Sequence, residues 1–214
     1  MAPYVRPSID GPVFRDAGGA VIDYGNRWHG SPPEGTYSVD THPERFAPLH
    51  RVADALIAYL GETYDVDIAE GPETVMDLMR RPSHDVVRSV RVRPNDPTCA
   101  SLTLVYTAYP GIFMHAGLLH DFHYPVCGCD ACDSDWLGEA DDLEQQVLAT
   151  AEGCYREAIG RGRRPWVGYM FTHPHGGGSS GQSSSQDLPA GRLERAAPTL
   201  RDLPDGWGPW PRAT

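Results

Sequence analysis

Three cysteines within six residues, Cys127-Gly128-Cys129-Asp130-Ala131-Cys132, constrain this chain more than any other feature. Thiols held that close are oxidised in pairs, stay as reduced neighbours, or share a cation. Cys99 and Cys154 bring the count to five. That number is odd, and the start MAPYVRPSIDG lacks the basic-then-apolar pattern of an export signal, so a disulfide framework is not expected. The expected compartment is the cytoplasm. In a reducing environment, gathered thiolates call for positive charge. Zn²⁺ supplies it and favours a closed tetrahedron of S and N ligands when its role is structural. Gly128 would ease a turn tight enough for both flanking thiols to reach one ion. The spacing therefore predicts zinc bound by Cys127, Cys129 and Cys132.

A fourth ligand is expected from the segment HAGLLHDFHYPV just upstream. His123 is nearest and His120 is equally able to fold back, while Cys154 lies on an apolar stripe where a free cysteine acts as a small hydrophobe. Asp121 reads as a group that orients a ligand histidine. A redox pair is disfavoured, because the third cysteine and the surrounding acids would raise thiol pKa rather than lower it. A zinc deaminase needs a proton-shuttling Glu two residues after its histidine, and here that position is Gly117. The alternative enzyme reading is a zinc-dependent hydrolase with an open metal position in the His115, His120 and His123 region. Three thiolates make zinc a poor Lewis acid, so this ranks second. No catalytic residue is assigned. His173 and His175 read as solvated loop histidines.

Around the cysteines, the pattern predicts one α+β domain over 41–214, preceded by an irregular arm over 1–40 with scattered aromatics. Thr41-His42-Pro43-Glu44 matches a capping box ahead of a helix ending at Gly61, with Phe46, Leu49, Ala53, Leu56 and Leu60 on one face. A short strand is possible over 64–68, and Gly71-Pro72 opens a shorter helix to Arg81. Strands are expected over 86–93, 101–107, 111–115 and 166–172, linked by short loops that favour hairpins, in a short and mostly antiparallel sheet. A long helix is expected over 136–159, with acids at its start as the dipole favours. The Gly/Ser tract over 175–186 reads as a loop. A last helix over 189–200 precedes the ending GWGPWP, whose two Trp rings would pack back on the domain.

Charge narrows the partners. The chain has 18 basic residues, every one Arg, against 29 acidic ones, for a net charge of −11. That argues against nucleic acid, which needs a basic face, and against an anionic membrane surface. No apolar run reaches the length of a membrane span. A basic protein partner, met in an immunity- or adaptor-like role, would suit the acidic surface.

The run from Phe113 to Asp133, with Pro125-Val126-Cys127-Gly128-Cys129-Asp130-Ala131-Cys132 at its heart, resembles the signature of an uncharacterised bacterial family known as a domain of unknown function. Further similarities are the helix RVADALIAYL, the strand WVGYMF, the serine-rich loop and the closing DLPDGWGPWP. The resemblance runs from about residue 40 to the end. It implies one intact domain and brings no activity, substrate or metal, so the zinc expectation rests on cysteine spacing alone.

Overall fold

In the computed structural model, which describes residues 3–160, 163, 165–172, 177–189 and 191–214, the chain is an α+β protein with two antiparallel sheets. His173 and His175 lie outside the described residues. The first sheet is a five-stranded meander, β1 (Val66–Glu70), β2 (Val86–Pro94), β3 (Leu102–Thr107), β4 (Ile112–Ala116) and β5 (His120–Tyr124), in that spatial order. The second is a three-stranded meander, β6 (Tyr155–Gly160), β7 (Trp166–Thr172) and β8 (Gly178–Ser184). Strand 166–172 therefore leaves the single expected sheet and becomes the centre of another.

Helix α1 (Pro48–Thr63) and helix α2 (Trp136–Ala151) cover the first sheet. Leu49, Val52, Ala53, Leu56 and Leu60 of α1 recur at helical spacing, and all have no exposed surface. They meet Val90, Val92, Leu102, Leu104, Ile112 and Met114 from β2, β3 and β4 in one apolar cluster. Trp207 and Trp210 are buried at its edge, with Trp210 Nε1 donating to the Ala100 carbonyl at 2.9 Å.

Several boundaries differ from the sequence reading for identifiable reasons. No capping box forms. Residues Pro43–Phe46 make a 3₁₀ turn, α1 begins at Pro48, and the Thr41 hydroxyl donates to the Asp130 carboxylate. Gly61 does not stop α1, which continues to Thr63. A Cβ at Gly61 would stand 2.8 Å from Ile68 Cδ1, so the glycine admits β1. The segment after Gly71 is a 3₁₀ helix over Pro72–Asp77, not a full α-helix.

The long helix stops at Ala151 instead of reaching 159. Gly153 takes φ +74°, the left-handed conformation that closes helices, and Cys154 is the last residue before β6. The Gly/Ser tract is not a loop over 178–184: β8 pairs with β7 through seven residues, from Trp166↔Ser184 to Thr172↔Gly178. The last helix, α3 (Arg192–Arg201), buries Ala196 and half-buries Leu193, Ala197 and Leu200.

Candidate functional site

The loop between β5 and α2 carries the cysteines. All five cysteines of the chain are free. The sulfurs of Cys127 and Cys129 lie 3.4 Å apart and those of Cys129 and Cys132 lie 3.5 Å apart, and all three fall within 4.8 Å of one another. A tetrahedral ion about 2.3 Å from each sulfur would space them by about 3.8 Å. The three side chains converge as a metal site requires, at the protein surface, and could hold an ion. Among the described residues no His, Asp or Glu joins this group.

The thiols of Cys129 and Cys132 are shifted in opposite directions. The backbone N–H of Cys132, together with hydrogen bonds from the flanking sulfurs and from the Ser38 backbone, lowers the Cys129 thiol to about 7. The same sulfur contacts, Cys127 first, push Cys132 up to about 12. Cys129 is thus a readier thiolate than Cys132, and thiolate is the soft donor that a thiophilic cation takes.

What holds the loop is not visible in its own six residues. The buried guanidinium of Arg45 donates to the Gly128 carbonyl at 2.6 Å, to the Ser134 carbonyl at 3.1 Å and to the His42 carbonyl at 3.1 Å. Arg27 donates to the Asp130 carbonyl at 2.6 Å and pairs with the buried Asp133 carboxylate. Trp28 Nε1 reaches the same Asp130 carbonyl at 3.1 Å. The Asp130 and Ala131 N–H groups donate to the carbonyls of Val39 and Thr36. The irregular N-terminal residues therefore clasp the cysteine loop. The rings of Tyr24 and Phe46 support Arg45, each 4.4 Å from its guanidinium carbon. Gly128 earns its place sterically: a Cβ there would stand 1.8 Å from the Tyr109 hydroxyl oxygen. Its φ is not positive, so the turn itself does not demand glycine.

The structure does not bring the expected histidines to the sulfurs. His120 is buried on the inner face of β5, and its Nδ1 lies 2.9 Å from Oε1 of the fully buried Glu157 on β6. His123 points to the opposite face, exposed, and stacks on Phe113 with centroids 5.6 Å apart. His115, on β4, is buried with Nδ1 2.7 Å from Asp121 Oδ1. Asp121 also accepts from the backbone N–H groups of Met79 and Arg80. It therefore fastens β5 to the 72–80 segment and orients His115 rather than a metal-bound histidine. Cys154 sits in the turn between α2 and β6, away from the trio.

Sequence reasoning missed Glu157 entirely. Its carboxylate accepts from the N–H groups of Leu118 (3.0 Å) and Leu119 (2.8 Å), from Trp207 Nε1 (3.0 Å) and from His120. The signal was hidden, because Tyr155 to Ala158 reads as the tail of a helix when it is a strand. Gly117, at φ +65°, completes this nest: a Cβ there would lie 2.1 Å from Glu157 Oε2.

Fold and loop together define an α+β protein with a surface cluster of three cysteines able to hold a metal. No helix among the described residues is long and apolar enough to cross a membrane. The chain belongs to DUF6226, a family of unknown function, whose model matches residues 10–214. No curated protein and no solved structure matches it.

Proposed function

We propose that this is a cytoplasmic interaction protein, immunity- or adaptor-like, whose cysteine loop is fixed by a structural Zn²⁺ on Cys127, Cys129 and Cys132. The observation that carries the zinc reading is the convergence of three free sulfurs, at 3.4 and 3.5 Å, in a loop that the buried Arg45 already holds in shape. The fourth position is taken by water or by a side chain of the partner, since His120 and His123 are engaged elsewhere. A net charge of −11 favours a basic protein partner through electrostatic complementarity. The hydrolase alternative has less support. His115 and His120 each commit Nδ1 to a carboxylate, and the cysteines are the one converging group of three metal-ligating side chains among the described residues.

Elemental analysis of protein purified under reducing conditions tests the metal. One zinc per chain is expected, and none in Cys129→Ser. Wild-type protein without thiol-bound metal would end the reading. A pull-down tests the partner: a basic protein retained at low salt and released at high salt is expected, while salt-independent or absent capture would count against the interaction role.

A further inference from the structure

Arg45 and the N-terminal arm hold the cysteine loop at the surface, and the residues around the sulfurs form a face with its own chemistry. Cys127 and Cys132 are exposed. The Thr36–Val39 segment runs beside the loop, because the N–H groups of Asp130 and Ala131 donate to the carbonyls of Val39 at 2.7 Å and Thr36 at 3.0 Å. Tyr37 and Val39 on that segment are 56% and 42% exposed, and Val126, next to Cys127, is 66% exposed. Exposed apolar side chains gathered at one site, unlike single ones, mark a contact surface.

The charge of this face is negative. Glu34 and Asp40 bound the segment, both exposed, and neither forms an ion pair among the described residues. A Cβ at Gly128 would stand 3.4 Å from Asp40 Oδ1, which places that carboxylate against the loop. The arginines at the loop, Arg27 and Arg45, are committed to Asp130, Asp133 and backbone carbonyls. Three thiolates outweigh a zinc dication by one charge and add to the acids. Among the described residues no histidine or acid joins the three sulfurs, and the rings of His42 and His84 are stacked on Phe14 and Tyr109.

We propose that this face docks a basic segment of a protein partner, and that a histidine of that segment completes the coordination of the metal. The proposal rests on the zinc reading above and names the chemistry of the partner. A neutral imidazole suits the fourth position better than another thiolate or a carboxylate, because it adds no negative charge where negative charge is already in excess. Arginine or lysine beside the histidine meets Glu34 and Asp40, and an apolar residue covers Tyr37, Val39 and Val126. A second copy of this chain is a poor occupant, since it brings another −11.

The test loads the reduced full-length protein with Co²⁺ in place of zinc, so that thiolate charge-transfer bands report the metal and ligand-field bands report its fourth ligand. The probes are three acetylated peptide amides: LHRR, LARR without the imidazole, and LHEE with the flanking charge reversed. LHRR should shift the ligand-field bands saturably, with affinity at least about tenfold above that of LARR. LHEE should bind severalfold more weakly than LHRR at low salt, and the gap should narrow as salt rises. Tyr37→Ser and Val126→Ser should each weaken LHRR severalfold, measured on variants that still show the cobalt bands. Bands unmoved by LHRR, or moved equally by LARR, would overturn the proposal and leave the metal reading standing. A free-protein cobalt spectrum that changes in His84→Ala, or in the pair His173→Ala and His175→Ala, would also overturn it, by placing the fourth ligand within the chain. Absence of thiolate bands would end the metal reading and this proposal with it.

Discussion

Arg45→Met is the sharpest probe of how the cysteine loop is held. The substitution keeps an unbranched apolar stem against Tyr24 and Phe46 but removes the guanidinium fork. Three backbone carbonyls, those of His42, Gly128 and Ser134, then lose their charged donor, and Asp130 loses a cation 3.8 Å away. Asp130 is 5% exposed, so its carboxylate cannot turn to water for compensation. It retains Thr41 and a second cation, Arg27, also at 3.8 Å. Removing one partner of such a buried cluster costs about 3–5 kcal/mol, and the surviving partners place this case near the lower end. With a urea slope of about 2–3 kcal/mol/M for a chain of this size, the midpoint should fall by about 1 M.

The measurement is urea unfolding followed by tryptophan fluorescence, with and without chelator, alongside amide spectra of residues 127–132. If arginines shape the loop, chelated wild-type protein keeps its loop amide dispersion and Arg45→Met loses it. Two results would refute this reasoning. One is a variant midpoint within about 0.3 M of wild type in chelator. The other is collapse of the wild-type loop on chelation alone, which would mean that the metal, not the clasp, gives the loop its form.

Four further outcomes follow from particular contacts. Cys129→Ser should abolish zinc retention and lower the Tm, whereas Cys99→Ser and Cys154→Ala should leave zinc bound, as read by elemental analysis and thermal melts. Gly128→Ala forces the Tyr109 ring to move and should cost about 1–3 kcal/mol, partly recovered in the double variant with Tyr109→Phe; Gly153→Ala should cost more, because a Cβ there would stand 2.5 Å from the backbone nitrogen of Pro209 and must also adopt a positive φ. Glu157→Ala strips the donors of Leu118, Leu119, Trp207 and His120 of a common acceptor and should cost about 3–5 kcal/mol in a denaturant titration. Burial raises the Glu139 carboxyl, so its ionised form destabilises the fold at neutral pH and that cost disappears as pH falls below the unfolded value of about 4.3. Glu139→Gln should therefore raise the Tm by about 1–2 °C at pH 7 and by nothing near pH 4.

The sequence showed helical and strand periods where side chains carried them, and hid structure where they did not. Helix α1 was legible because its apolar residues repeat at helical spacing, strands β2 and β3 because theirs alternate, and β7 because it is rich in aromatic and β-branched residues. Strand β8 was not, since GSSGQSS has no period at all. It becomes a strand only by lying on β7, where a Cβ at Gly181 would stand 2.7 Å from the Tyr169 ring and one at Gly178 would stand 2.2 Å from the Phe171 carbonyl oxygen. Its small residues fit the strand to an aromatic neighbour, although the same composition in isolation reads as a linker. Strand β6 was masked by the stripe of α2 running on past Gly153, and losing β6 meant losing Glu157.

That loss explains why the two chemical features of the chain were read as one. The six soft or basic donors of HAGLLHDFHYPVCGCDAC, three histidines and three cysteines, stand within 18 residues, and proximity in sequence suggested a shared metal. The hairpin of β4 and β5 separates them. Alternation along His120–Tyr124 sends His120 inward to Glu157 and His123 outward to Phe113, while the cysteines continue beyond the strand into a loop clasped by residues from the N-terminal arm. Period-2 geometry thus divides a contiguous motif between a surface thiol cluster and an internal histidine. The division makes a physical claim that can fail: His120→Phe should leave zinc stoichiometry at the wild-type value, and Cys129→Ser should leave the His120 ring signals unshifted. Zinc loss in the histidine variant would join the two sites again and return His120 to the metal.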